Sequence, residues 1–191
     1  MPDTAGMQTV AFTRMEDGTK QEYDLIIGRE KALAQKLPEH LLAQLKTLAL
    51  GDSGYRIDRY QHSLQTATRA FRDGADEETV VAALLHDIGD TLAPDNHSQL
   101  AAALLRPYVS DKTHWVVQHH GIFQGYYYFH HIGQDRNERE RFRGHPYFQD
   151  CVDFCQRWDQ AAFDPNYDTM PVQAFEPALR RVLAREPFRQ V

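Results

Sequence analysis

An apolar run that ends in an imidazole and a carboxylate limits the possible folds of this chain more than any other feature. Residues 80–85 are all apolar, and His86, Asp87, Ile88 and Gly89 follow directly. Such a run is buried in a folded protein, where an imidazole or a carboxylate has a large desolvation cost unless a partner compensates it. A metal ion compensates both groups, because both are common metal ligands in proteins. The run therefore predicts a buried metal site around His86 and Asp87.

The composition is that of an ordinary globular protein without a basic face. Of the 191 residues, 42% are hydrophobic and 25% are charged, and the formal net charge is −6. The length suits one domain with a single core, and the negative charge disfavours nucleic acid as a partner. No apolar run approaches the roughly 20 residues of a membrane span, and the first residues lack a signal-peptide pattern. We therefore expect a cytoplasmic protein that binds neither nucleic acid nor a membrane.

Helical signals follow one another along the chain, and no strand pattern recurs. A capping box at Thr19 and Glu22 begins the first helix, and Gly74 ends the third. The expected helices cover about residues 19–36, 38–49, 58–73, 76–89, 97–106, 113–120, 146–162 and 172–185. The fold is therefore predicted to be an all-α bundle.

The remaining segments are less regular. Residues 9–12 are read as an extended arm, residues 121–128 as helix or loop, and residues 132–145 as a polar surface segment. Two cysteines, Cys151 and Cys155, share one helix face and are expected to be a buried, reduced pair. We predict that residues 1–50 form an arm and two helices that pack on a bundle formed by residues 51–191.

Two polar residues fall on the inward stripes of their predicted helices. Asp159 lies four residues after Cys155, and an inward carboxylate requires a partner. An ion pair with an arginine is the alternative to a metal. His120 shares a stripe with Val116 and Val117, and a hydrogen bond to a carbonyl is its alternative role. Its neighbour His119 points about 100° away around the helix.

Two other histidines are less clearly placed. In the helix at residues 58–73, the apolar stripe leaves His62 to one side; the stripe consists of Tyr60, Leu64, Ala67 and Phe71. His97 begins a helix and could simply be exposed. A helix face and a helix start can nevertheless converge in the core of a bundle, where helical proteins build metal sites.

Taken in order, His62, the doublet of His86 and Asp87, and the late Asp159 resemble the metal-binding motif of the HD-domain superfamily. The sequence of residues 82–89 is close to the motif of the family, and the resemblance covers about residues 55–162. Histidines at the positions of His97 and His120 resemble those of the dinuclear members. The resemblance implies an HD-domain helical bundle for residues 51–191.

The dinuclear members divide between mixed-valent di-iron oxygenases, of the hydroxyphosphonate oxygenase and myo-inositol oxygenase group, and phosphodiesterases. Residues 61–67 and 157–159 resemble the small oxygenases, whereas the whole chain also resembles proteins labelled predicted HD phosphohydrolases. The first resemblance implies an Fe(II)/Fe(III) pair that oxidises a small hydroxylated substrate with O₂, with C–C or C–P cleavage among the implied reactions. The alternative is a phosphohydrolase that acts on a nucleotide or phosphate ester with Mn or Mg. A non-catalytic metal sensor is a third possibility.

The resemblance also implies how six ligands divide between two irons. One ion takes His62, His86, Asp87 and Asp159, and the other takes Asp87, His97 and His120, so that Asp87 bridges.

Two positions depart from the family pattern. Asp90 stands where members often have Lys, His or Glu facing the substrate, and Gln124 replaces a substrate-binding Lys of the hydroxyphosphonate group. An acidic Asp90 would repel an anion and favour a polyol, an amine or a cation. In a hydrolase Asp90 would be the general acid or base. The alternative without a catalytic role is that Asp90 caps the loop that follows the helix.

We expect Asp90, Gln124, Tyr126 and Tyr127 to contact substrate, although aromatic residues of this kind often only fill a core.

Overall fold

The computed structural model describes residues 9–188, and these form helices and turns without a strand. The all-α prediction is confirmed. The helices are α1 (Lys20–Ala34), α2 (Leu37–Thr47), α3 (Arg59–Arg72), α4 (Glu77–Leu85), α5 (His97–Leu105), α6 (Asp111–Tyr128), α7 (Phe148–Phe154) and α8 (Glu176–Leu183). No helix in the described part of the chain is long and apolar enough to cross a membrane.

The chain divides into two compact units, one up to His40 and one from Leu41 onward. In the first unit, α1 begins at the predicted capping box, where the Glu22 carboxylate accepts a hydrogen bond from the Thr19 amide at 2.9 Å. The same carboxylate accepts from the Ala11 amide at 2.7 Å, so residues 9–12 are tied to α1 and form no strand. Residues 1–8 of the predicted arm lie outside the described residues, and the packing of residues 1–50 on the bundle stays a prediction.

The centre of the second unit is the pair α3 and α4. Each helix begins at an aspartate that accepts a backbone hydrogen bond, Asp58 from the Gln61 amide and Asp76 from the Thr79 amide, both at 2.7 Å. Gly74, with a φ of +75°, ends α3. The apolar run of α4 is fully buried because α3, α6 and α8 all pack against this helix. The end of α4 therefore lies inside the core.

The fourth helix is shorter than predicted. It ends at Leu85, and tighter i to i+3 bonds follow, from the Ile88 amide to the Leu85 carbonyl and from the Asp90 amide to the Asp87 carbonyl. Such bonds tighten the turn at a helix end. The predicted helix over residues 76–89 was therefore too long by one turn, and the doublet lies on that tight turn.

The helices near the carboxyl end also differ from their predicted bounds. Helix α6 continues through Gly121 to Tyr128, so the segment left open as helix or loop is helical. The single helix predicted over residues 146–162 is divided, because α7 is followed by a π turn at Cys155–Asp159. The Gln160 amide donates to the Cys155 carbonyl at 3.0 Å, five residues earlier. This wider turn brings both Trp158 and Asp159 into the core.

Two smaller predictions concern burial. Cys151 and Cys155 are free and buried, as expected. Phe71, which the stripe of α3 placed in the core, is 55% exposed, whereas His62 beside that stripe is 1% exposed. The stripe was misplaced because α4 and the π turn pack on different sides of α3 and bury most of the helix between them.

Candidate metal centre

Four imidazoles and two carboxylates from five parts of the bundle meet at one point in the core. His62 comes from α3, His86 and Asp87 from the turn after α4, His97 from the start of α5, His120 from α6 and Asp159 from the π turn. All are buried except His97, whose side chain is 26% exposed. The structure thus brings all six sequence-predicted ligands together.

In three of the rings, Nδ1 lies against a backbone carbonyl. The partners are the carbonyl of Ala162 for His62 at 3.0 Å, that of Ala83 for His86 at 2.8 Å, and that of Val117 for His120 at 2.7 Å. A carbonyl can only accept, so Nδ1 of each ring carries a proton. This fixes the tautomer and leaves Nε2 as the ligand atom.

The Nε2 atoms face one another and the carboxylates. His62 Nε2 lies 3.1 Å from His86 Nε2 and 3.2 Å from Asp159 Oδ1. Acceptor atoms at these distances repel one another unless a cation lies among them. The donor set, imidazole nitrogen and carboxylate oxygen, is one that transition metals bind. The residues therefore fit a metal ion.

Asp87 divides the centre into two halves. Its Oδ2 lies 3.4 Å from Nε2 of both His62 and His86, whereas its Oδ1 lies 3.1 Å from His120 Nε2 and 3.5 Å from His97 Nε2. Each carboxylate oxygen thus faces its own pair of imidazoles. The ligand atoms of His62, His86 and Asp159 lie within 4.8 Å of one another, and so do those of His86, Asp87 and His120. The arrangement offers two adjacent metal positions with Asp87 between them.

The electrostatics of the centre favour a cation. Burial opposes a charge on His62, but Asp159 and Asp87 raise its pKa to about 10. Burial likewise opposes charge on His120, and Asp87 still raises the pKa of that ring. Burial would raise the pKa of Asp87, yet the imidazoles around it hold it well below its usual range. The carboxylates are therefore ionised, and in the metal-free protein a proton on an imidazole balances part of their charge.

The centre opens into a cavity of about 280 Å³. Gln124 and Tyr127 line it, as do six other residues outside the ligand set, namely Tyr55, Arg59, Gly121, Tyr128, Gln160 and Phe163. The Gln124 amide nitrogen donates to Asp159 Oδ1 at 3.2 Å, and its buried Oε1 has no hydrogen-bond partner. Gln124 therefore lies beside the cavity with one acceptor oxygen that no protein group engages.

Tyr126 and His119 lie away from this cavity. The Tyr126 ring packs under the guanidinium groups of Arg136 at 4.2 Å and Arg139 at 3.7 Å and does not line the cavity. Helical geometry turns successive side chains by about 100°, so Tyr126 points elsewhere than Tyr127. The expected substrate contact of Tyr126 therefore has no support from the cavity lining and stays a prediction. His119 stacks on Trp115 at 4.3 Å and does not reach the ligands.

Asp90 and Arg59 form a pair beside the centre. Asp90 Oδ2 lies 3.2 Å from Arg59 Nε, and its Oδ1 lies 3.4 Å from His97 Nδ1. Arg59 Nη1 also donates to Asp87 Oδ2 at 3.3 Å. The expectation that Asp90 repels anions stays a prediction, and the ion pair with Arg59 offsets part of the charge on which it depends. Sequence reasoning missed Arg59, although its position three residues before His62 places both on neighbouring faces of α3.

Comparison with protein families is consistent with this geometry. The family described as HD domain matches residues 59–147, just under half of the chain. The matched segment contains five of the six ligands, and Asp159 lies beyond it. No curated protein matches the chain significantly. HD domains are generally found in metal-dependent enzymes, and the buried His and Asp cluster of this chain could bind metal.

Proposed function

We propose that this protein is a dinuclear non-haem iron oxygenase that oxidises a small hydroxylated molecule with O₂. The observation that carries the proposal is the division of Asp87, whose two oxygens face separate pairs of imidazoles. One carboxylate that faces two metal positions is the arrangement expected of a bridging ligand. Asp159 adds a second carboxylate to the half formed by His62 and His86.

The donor set favours iron over magnesium. Four imidazoles and two carboxylates form a nitrogen-rich site, whereas Mg²⁺ prefers carboxylate, carbonyl and water oxygens. Two carboxylates do not neutralise two metal ions, so the loaded centre would keep a positive charge. When bound, the iron pair would supply O₂ activation and polarisation of a substrate hydroxyl. The remaining steps fall to the side chains around the cavity.

These side chains suit a small hydroxylated substrate. The Oε1 of Gln124, which has no hydrogen-bond partner within the protein, can accept a hydrogen bond from a substrate hydroxyl. Phe163 stacks on the His62 ring at 4.3 Å and Tyr55 stacks on Phe163 at 4.7 Å. This aromatic wall shields one side of the centre from water. A cavity of about 280 Å³ is at the small end of ligand sites.

One observation favours a phosphohydrolase as the second candidate. Asp90 is mostly buried, and burial together with the nearby Asp87 raises its pKa. A carboxyl with a raised pKa beside a metal centre is suited to general acid catalysis. In that case the metal would be Mn or another divalent ion, and the substrate would be a nucleotide or phosphate ester.

The two functions separate in one set of assays. The protein is purified without added metal and after loading with Fe(II) or Mn(II), and bound metal is measured by mass spectrometry. O₂ consumption is then followed with polyols, amino alcohols and hydroxyphosphonates, and phosphate release with nucleotides and phosphate esters. His86→Ala serves as the inactive variant, and His119→Ala is the matched control outside the ligand set.

The oxygenase proposal predicts about two irons per chain and substrate-dependent O₂ consumption that His86→Ala abolishes and His119→Ala retains. Phosphate release supported by Mn(II), with no O₂ consumption by the iron-loaded protein, would overturn the oxygenase and establish the hydrolase.

A further inference from the structure

We infer that Asp90 is a positioning residue for His97, held in place by Arg59, and that this contact sets the affinity for the metal ion between His97 and His120. The inference rests on the proposed dinuclear centre but not on the reaction that the centre performs. It gives Asp90 a role that neither general acid catalysis nor loop capping describes.

His97 is the ligand ring that the backbone holds least. The other three rings have a carbonyl within 3.0 Å of Nδ1, whereas the Pro94 carbonyl lies 3.5 Å from His97 Nδ1. The His97 side chain is also 26% exposed, while the other three are at most 3% exposed. Asp90 Oδ1 lies 3.4 Å from the same Nδ1, within ion-pair distance, and adds a negative charge beside the long contact with the Pro94 carbonyl.

Arg59 fixes the orientation of the Asp90 carboxylate. Its Nε lies 3.2 Å from Asp90 Oδ2 in an ion pair without a hydrogen bond, and Asp90 Oδ1 faces His97. Its Nη1 holds Asp87 Oδ2 at 3.3 Å. One guanidinium therefore couples the proposed bridging carboxylate to the carboxylate beside His97. Because the side chain of Asp90 is only 14% exposed, this pair is shielded from solvent more than a surface ion pair is.

The backbone also holds the Asp90 segment close to His97. A Cβ added to Gly89 would lie 2.8 Å from the His97 carbonyl oxygen and 3.0 Å from His97 Cα. Only a glycine permits this approach, so the residue before Asp90 packs directly on the first residue of α5. The contact between Asp90 and His97 is therefore a consequence of the way the two segments pack.

A carboxylate on the Nδ1–H of a metal-bound histidine fixes the ring and raises the basicity of Nε2. Loss of such a partner typically weakens metal binding about 10–100-fold. His97 contributes to one half of the centre, so only the ion in that half should be affected. The ligand atoms of Asp87, Asp90 and His97 also lie within 4.8 Å of one another, so the test must separate a positioning residue from a ligand.

The test titrates the metal-free protein, as the whole 191-residue chain, with Co(II), a redox-stable probe whose visible spectrum and binding heat report each ion. The proteins compared are the wild type, Asp90→Ala, Asp90→Asn and, as a matched control, Asp95→Asn, whose carboxylate is exposed in the same loop. Circular dichroism verifies folding, and the nearly isosteric Asp90→Asn carries the test should Asp90→Ala not fold.

The inference predicts two Co(II) ions in the wild type and in Asp95→Asn. Asp90→Ala should bind the second ion about 10–100-fold more weakly and the first ion unchanged. Asp90→Asn keeps an acceptor oxygen, so its affinity for the second ion should lie between those of the wild type and Asp90→Ala.

Unchanged affinity for the second ion in both Asp90 variants would overturn the positioning role. Complete loss of that ion in both would overturn it too, because Asp90 would then be a ligand. A wild type that binds one ion would instead contradict the dinuclear centre itself.

Discussion

His62 Nε2 and His86 Nε2 lie 3.1 Å apart, although Nδ1 of each ring is already engaged by a backbone carbonyl. Two lone pairs at this distance are stable only with a cation or a proton between them. The bundle holds both rings in this position from separate segments, one on α3 and one after α4. The two rings are therefore held around a positive charge, which in the metal-free protein a proton on one of them supplies.

Metal loading should release a proton from His62. In the metal-free protein, Asp159 and Asp87 raise the pKa of His62 to about 10, so the ring is protonated at neutral pH. A metal ion must displace that proton, since only the unprotonated Nε2 can bind it. Apparent affinity should therefore rise with pH, by about tenfold per pH unit for one released proton, and level off as the pH passes the raised pKa.

Calorimetric titration with Co(II) in buffers of different protonation heat measures the released protons. His119→Ala, which lies outside the centre, should release the same number as the wild type. A proton count of zero, with an affinity that is flat from about pH 7 to pH 9, would show that no proton occupies the position between the rings.

The two neighbouring histidines of α6 should behave differently. His120 Nε2 lies 3.1 Å from Asp87 Oδ1, whereas His119 stacks on Trp115. His120→Ala should lose one of two metal ions per chain, because it removes a ligand from one half of the centre. His119→Ala should keep both ions. Metal analysis by mass spectrometry after gel filtration gives the number of metal ions per chain. Loss of an ion in His119→Ala but not in His120→Ala would show that His119 is the ligand.

A methyl group at Gly89 should disturb the second half of the centre from outside it. The added Cβ would meet the backbone of His97 at 2.8 Å, and backbone cannot give way as a flexible side chain can. Gly89→Ala should therefore lower the free energy of unfolding by about 1–3 kcal/mol, as overpacking does. It should also weaken binding of the ion near His97.

Gly144→Ala is the matched control, because a Cβ there meets nothing within 4 Å. Urea denaturation of the metal-free proteins measures the change in stability, and Co(II) titration measures the second ion. Equal stability of the two variants would mean that the Asp90 segment and α5 do not pack as described.

Much of the bundle could be predicted from local patterns. The caps at Asp58 and Asp76 and the break at Gly74 are encoded within a few residues, so the bounds of α3 and the start of α4 followed from sequence. The apolar run before His86 required burial whatever packed on it. The resemblance to HD domains then pointed to the other ligands.

Other features depend on how the helices pack and have no local signal. The π turn before Gln160 brings Asp159 inward, and no sequence pattern in residues 155–160 predicts the extra residue in that turn. The contact of Arg59 with Asp90 depends on the rotation of α3 relative to the turn after α4. Tyr126 and Tyr127 are identical in type, so only the rotation of α6 decides which of them lines the cavity.

The dinuclear centre bridged by Asp87 is tested most directly by electron paramagnetic resonance of the iron-loaded protein after partial oxidation. If Asp87 joins two irons, the sample should show a spin-coupled Fe(II)/Fe(III) signal that accounts for most of the bound iron. Asp87→Ala should lose that signal, and His119→Ala should keep it. A wild type that binds one iron per chain and shows only an isolated ferric signal would contradict the account.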